Sequence, residues 1–195
     1  MRYRRARRRL TLRVQATKVW RGTNPTAYDR IFMRIIFLDI DGVLNSTRFI
    51  AENTNGEGVI VVDGELDATA HIDPIRVGRL NRLVTDTNAI VVLSSSWRVV
   101  FGIEKTQSSL KKRGFAHVLA DTTIRLVDQP RAAEIEHYLA RLGGQPSYVI
   151  LDDDRGAGIG FDRSFVHIPD GMEDDHVERA KRVLLEPNVI VGRRV

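Results

Sequence analysis

Residues 34–45 read RIIFLDIDGVLN, and the fold is decided there. Arg34–Asp39 is a short, nearly continuous apolar run that closes on a carboxylate. That is the pattern of a strand covered on both faces, as in a parallel sheet. Asp39 and Asp41 stand two apart, so an extended backbone points both carboxylates to one side. Gly42 then permits a sharp departure from the sheet.

The same grammar returns twice downstream. Ile90–Leu93 runs into Ser94-Ser95-Ser96, and Tyr148–Leu151 runs into Asp152-Asp153-Asp154. A weaker candidate strand is SFVHI at 164–168. Between these lie segments of helical period. Asp73-Pro74 reads as an N-cap with Pro at the first helical position, followed by Val77, Leu80, Leu83 and Val84 on one face. Arg131–Leu142 is stopped by Gly143-Gly144, and Glu173–Leu185 runs from acids to bases as the helix dipole prefers. Strand–helix alternation of this kind predicts an α/β fold, a Rossmann-like parallel sheet with helices on both faces. Residues 46–72 interrupt it and are expected to form a loop with a small hairpin or flap. Gly156, Gly158 and Gly160 in RGAGIG lack the spacing of a dinucleotide loop and follow a late strand, so a flexible loop is expected. The five His show no paired metal-ligand spacing.

Composition narrows the chemistry. The chain has 195 residues and no Cys, which removes disulfides, thiolate metal sites and cysteine nucleophiles. No apolar run is long enough to span a membrane, and a cytoplasmic protein is expected. The net charge of +5 is unevenly spread. Residues 1–32 hold ten Arg and Lys against Asp29 alone, and the remainder is mildly acidic. The segment divides as a basic extension, 1–32, and a domain, 33–195. The extension is expected to be a solvated upstream tail or an arm that binds polyanions such as nucleic acid.

Open α/β sheets bind ligands at the carboxyl ends of their strands, which is where the acids and serines fall. Carboxylates gathered there need a compensating charge. Oxygen donors without His or Cys suit a hard cation, Mg²⁺ first. A calcium loop is excluded because Gly is fourth rather than sixth, and Ile50 stands at the twelfth place. A cation beside a nucleophilic carboxylate, a hydroxyl and N–H donors is equipment for phosphoryl transfer.

These residues resemble a known family. FLDIDGVLN is similar to the first signature of the haloacid dehalogenase (HAD) superfamily, VVLSSSWR to the second and YVILDD to the fourth. Arg131 in PRAAEIEHYL is placed for the cation of the third, where the superfamily more often has Lys. The combination looks most like the small HAD domains of Swiss Army Knife RNA repair-like phosphatases, over about Met33 to Leu185. The resemblance implies a phosphomonoester hydrolase. Asp39 would be the nucleophile, Asp41 the general acid and base, Ser94 a phosphoryl hydrogen-bond donor and Arg131 the charge-offsetting cation. Mg²⁺ would be held by Asp39, the Asp41 backbone carbonyl, Asp152 and Asp153. Gly42, Ser95, Trp97 and Arg98 would line the substrate; Trp97 and Arg98, just beyond the serines, either stack on or clamp a base, or Trp97 packs as the anchor of a helix start. Asp154 is expected simply to be exposed. The short segments after the first and second signatures leave room for a flap and no large cap domain, so the substrate can be a nucleic-acid end, a nucleotide or another phosphorylated partner. Two other classes stand beside this: a receiver-like domain phosphorylated on Asp, which the position of Asp39 on the first strand opposes, and a nucleic-acid-binding protein with a degenerate body. Oligomeric state and natural substrate are not encoded legibly.

Overall fold

The structure, a computed structural model, describes residues 33–54, 60–62 and 65–186; the basic extension lies outside the described residues. Its centre is a five-stranded parallel sheet in the order β5-β4-β1-β6-β7. The strands are β1 (Arg34–Leu38), β4 (Ile90–Leu93), β5 (Leu119–Thr122), β6 (Ser147–Asp152) and β7 (Phe165–His167). β1 sits in the middle because both its faces are apolar: Ile35, Ile36, Phe37 and Leu38 are fully buried.

Alternation along β1 splits the core in two. Ile36 and Leu38 join Val91, Leu93, Val149 and Leu151 on one face. There they meet α2 (Pro74–Thr87), α4 (Gly102–Lys112) and α6 (Asp174–Leu185) through Val77, Leu80, Leu83, Leu110, Val177 and Leu184. Ile35 and Phe37 join Val92 and Ile150 on the other face, against Ile135 and Tyr138 of α5 (Arg131–Leu142). Helices thus cover both faces of the sheet, as the alternating pattern predicts.

The helix boundaries follow the capping signals. The Asp73 side chain accepts from the Ile75 N–H at 2.8 Å, with Pro74 beginning α2, and Gly143 ends α5. The segment after β1 is richer than a loop. It contains α1 (Thr47–Asn53), capped by the Ser46 hydroxyl, and the antiparallel hairpin of β2 (Ile60–Val62) and β3 (Glu65–Asp67). Residues 55–59 of that segment lie outside the described ones.

Two features depart from the sequence reading. β5 is present where no element is expected, whereas α3 (Trp97–Val100), followed by α4, begins where the serine run points to a helix start. RGAGIG is not a loose loop, because Arg155–Gly158 forms a 3₁₀ turn. Asp154 is exposed, but its side chain caps that turn by accepting from the Gly156 N–H at 2.8 Å.

Candidate active site at the carboxyl ends of the strands

The backbone ladder builds the site. Just past the ends of β1, β4 and β5, one N–H donates to a carbonyl at or near the end of the neighbouring strand. Asp39 donates to Leu151 at 3.0 Å, Ser94 to Leu38 at 2.8 Å and Thr123 to Leu93 at 3.0 Å. The register pairs Leu38 with both Leu93 and Leu151, and Leu93 with Thr122. One step further on, Asp152, Asp39, Ser94 and Thr123 therefore form a row across four strands. Phe37 lies on the α5 face, so two-residue parity puts the row on that same side.

α5 supplies the counter-charge. Arg131 opens that helix after Pro130, and its Nη1 lies 2.9 Å from Asp39 Oδ1 and 2.7 Å from Asp152 Oδ2. Burial raises the Asp39 carboxyl to about 6, against the pull of Arg131 and hydrogen bonds from Ser95 and the Ile40 backbone. Burial, with Asp39 adding to it, raises Asp152 to about 7, again opposed by Arg131. Burial alone would lower the guanidinium; the two carboxylates outweigh it and keep Arg131 protonated. One cation thus faces two buried acids that it does not fully neutralise.

Carboxylate oxygens of Asp39, Asp152 and the exposed Asp153 all lie within 4.8 Å of one another. An all-oxygen set with unneutralised negative charge fits Mg²⁺. Gly42 makes room for one of these carboxylates, that of Asp153. A Cβ there would sit 2.5 Å from Asp153 Oδ2, and the backbone φ is +70°. Its visible role is to admit the Asp153 side chain. The Asp153 carbonyl is itself 2.9 Å from His167 Nε2.

Asp41 takes a different place from Asp39. β1 has ended, residues 41–44 turn away, and Asp41 is exposed. Its carboxylate accepts from the Trp97 indole Nε1 at 2.9 Å and from Asn45 Nδ2 at 3.1 Å, while Asn45 Oδ1 accepts from the Gly42 N–H at 2.7 Å. Asn45 is buried and was given no role by sequence reasoning, although it stands in the first signature.

Stacking or clamping by Trp97 and Arg98 requires correction. Trp97 is 4% exposed and packs on Phe101, with ring centroids 4.9 Å apart, so neither ring face is free for a base. The Arg98 side chain is 7% exposed. It ion-pairs with the equally buried Glu134 and donates to the Ser95 carbonyl. Glu134 also accepts from the Leu126 N–H at 3.0 Å. Arg98 and Glu134 therefore tie the serine loop to α5 and to the loop entering it. The Ser95 hydroxyl turns to Asp39 and accepts from the Trp97 N–H at 3.3 Å.

The Ser94 hydroxyl and the Thr123 hydroxyl are buried and meet no hydrogen-bond partner among the described residues. Native proteins leave few such groups. No helix among the described residues is long and apolar enough to cross a membrane.

A search among curated proteins gave no match. A family model described as the HAD domain in Swiss Army Knife RNA repair proteins matches residues 35–183, from β1 into α6.

Proposed function

We infer the function from that premise: the chain belongs to the family of the HAD domain in Swiss Army Knife RNA repair proteins, which is of the hydrolase and phosphatase type. We propose that it is a Mg²⁺-dependent phosphomonoester hydrolase working through an aspartyl phosphate, with nucleic-acid ends or nucleotides as substrates. The observation that carries this reading is the convergence of three carboxylates and one half-buried guanidinium at the strand ends.

In the proposed mechanism an Asp39 oxygen attacks phosphorus while the bond to the ester oxygen breaks. Asp41 gives its proton to the departing oxygen. It then takes a proton from water as that water attacks the phosphorus and releases Asp39. The two donors on Asp41 fix its direction for both transfers. Arg131 remains charged throughout and is the standing counter-charge for the phosphoryl oxygens. Ser94 donates to one of those oxygens, which gives its buried hydroxyl a partner. Asp39, Asp152 and Asp153, with the Asp41 carbonyl that the family resemblance adds, would hold Mg²⁺. When bound, the ion neutralises charge on the transferring group.

Support for nucleic-acid substrates comes from the ten basic residues of the extension. Between β1 and α2 the described residues form a short helix, a hairpin and a 3₁₀ turn at Thr69–His71, a segment whose length suits large substrates. The test is hydrolysis of an aryl phosphate with and without Mg²⁺ by wild type and Asp39→Asn. Metal-dependent turnover that the substitution lowers by about 10³-fold or more is expected. Unchanged turnover in the variant removes Asp39 as nucleophile.

A further inference from the structure

Thr123 belongs to no signature, and it directly follows β5, a strand the sequence does not announce. It nevertheless continues the row of Asp152, Asp39 and Ser94, held by the same type of backbone bond. Its residue is 1% exposed and its Oγ1 meets no protein partner. The preceding threonine behaves in the opposite way: Thr122 Oγ1 donates to the Leu93 carbonyl at 3.0 Å and contacts the Thr123 carbonyl at 3.1 Å. The missing partner is therefore particular to Thr123. Ser94, one strand nearer the nucleophile, shares the same lack.

Two buried hydroxyls in one row on adjacent strands stand roughly 4.8 Å apart along the sheet. An oxyanion beside both can accept from each at about 2.7–2.8 Å. Arg131 and the carboxylates occupy the other end of the row. Ser94 adjoins Asp39, and Thr123 lies one strand further from the carboxylates, so a phosphoryl group within reach of Asp39 meets Ser94 and extends toward Thr123 on the side away from the acids.

We propose that Thr123 is a substrate-binding residue, a second hydroxyl that hydrogen-bonds the phosphoryl group, and the released phosphate, beside Ser94. The inference rests on the phosphatase reading and adds a contact that none of the signatures assigns. The loop it begins, 123–130, leads directly to Arg131 and is anchored to Glu134 through Leu126. Thr123 and Arg131 thus stand at the two ends of one tethered segment, on either side of the position the phosphoryl group takes.

The experiment uses the full chain and two variants, Thr123→Val and Thr123→Ser. The Val variant keeps the branched shape and removes only the hydroxyl; the Ser variant keeps the hydroxyl. Hydrolysis of an aryl phosphate is measured with Mg²⁺, together with inhibition by inorganic phosphate and melting of the phosphate-free protein. Thr123→Val is expected to weaken phosphate inhibition and lower kcat/KM by about tenfold, and Thr123→Ser to recover most of both. The melting temperature of phosphate-free Thr123→Val is expected to equal or exceed wild type, because the lost hydroxyl bonded nothing. Wild-type phosphate inhibition in Thr123→Val overturns the proposal and leaves the phosphatase reading standing. A lowered melting temperature in that variant also overturns it, since the hydroxyl would then serve the fold. Absence of phosphate hydrolysis by the wild type overturns both.

Discussion

Replacing Asp152 by Asn probes the electrostatic heart of the site without touching the nucleophile. Asp152 is 1% exposed, and its carboxyl is raised from 3.8 to about 7 by burial and by Asp39. A carboxyl whose folded value lies above its unfolded one favours the protonated fold. That stability is fully present below about pH 4 and is lost as pH rises toward 7. The rise corresponds to roughly 4 kcal/mol at about 1.4 kcal/mol per pH unit. Asn removes this loss and keeps an oxygen for the Asp154 N–H, which now donates to Asp152 Oδ1 at 2.9 Å. The pull of Arg131 is already contained in that raised value, so Asp152→Asn is expected to gain stability at pH 8. The assay is urea unfolding in EDTA at pH 5 and pH 8, repeated with Mg²⁺. Metal-free Asp152→Asn is expected to be more stable than wild type at pH 8, with the gap closing at pH 5. Mg²⁺ is expected to stabilise wild type alone. A variant less stable than wild type at pH 8 without metal would refute the reasoning, since the carboxylate would then be net favourable where it lies.

Three further outcomes are expected. Trp97→Phe keeps a ring against Phe101 but removes the indole donor to Asp41; kcat for an aryl phosphate should fall about tenfold with KM little changed. Gly42→Ala puts a Cβ 2.5 Å from Asp153 Oδ2 at a φ of +70°; calorimetry should show Mg²⁺ affinity reduced by at least about tenfold, with a stability loss of about 1–3 kcal/mol. A chain starting at Met33 lacks ten basic residues; its binding to a single-stranded oligonucleotide should lose most of its salt dependence, each lost phosphate contact lowering the slope by about 0.7.

The legible parts of this fold are those whose signals are local. β1, β4 and β6 show as apolar runs because they are buried on both faces, and α2 shows through Asp73-Pro74 and its apolar stripe. β5 was invisible because Leu119–Thr122 offers one buried apolar side chain, with Asp121 turned to the Tyr138 hydroxyl at 3.1 Å. The start of α3 is marked by the serine run, but α4 is obscured by its own first residue, Gly102, which carries a φ of +76°. The site divides along the same line. Asp39, Ser94 and Asp152 follow from strand ends, and Arg131 from the start of a helix. Trp97 and Arg98 went astray because their partners, Asp41 and Glu134, are 56 and 36 residues away in sequence. Periodicity carries no information about such pairings. Thr123 was missed because its strand was.

The direct test of the proposed chemistry is to look for the phosphoryl group on the nucleophile. The protein is mixed with an aryl phosphate and Mg²⁺, quenched in acid during turnover, digested and examined by mass spectrometry. One phosphoryl group on the peptide that carries Asp39, absent without Mg²⁺ and absent in Asp39→Asn, is the expected result. Turnover with no such adduct, or with the adduct on another residue, would contradict it.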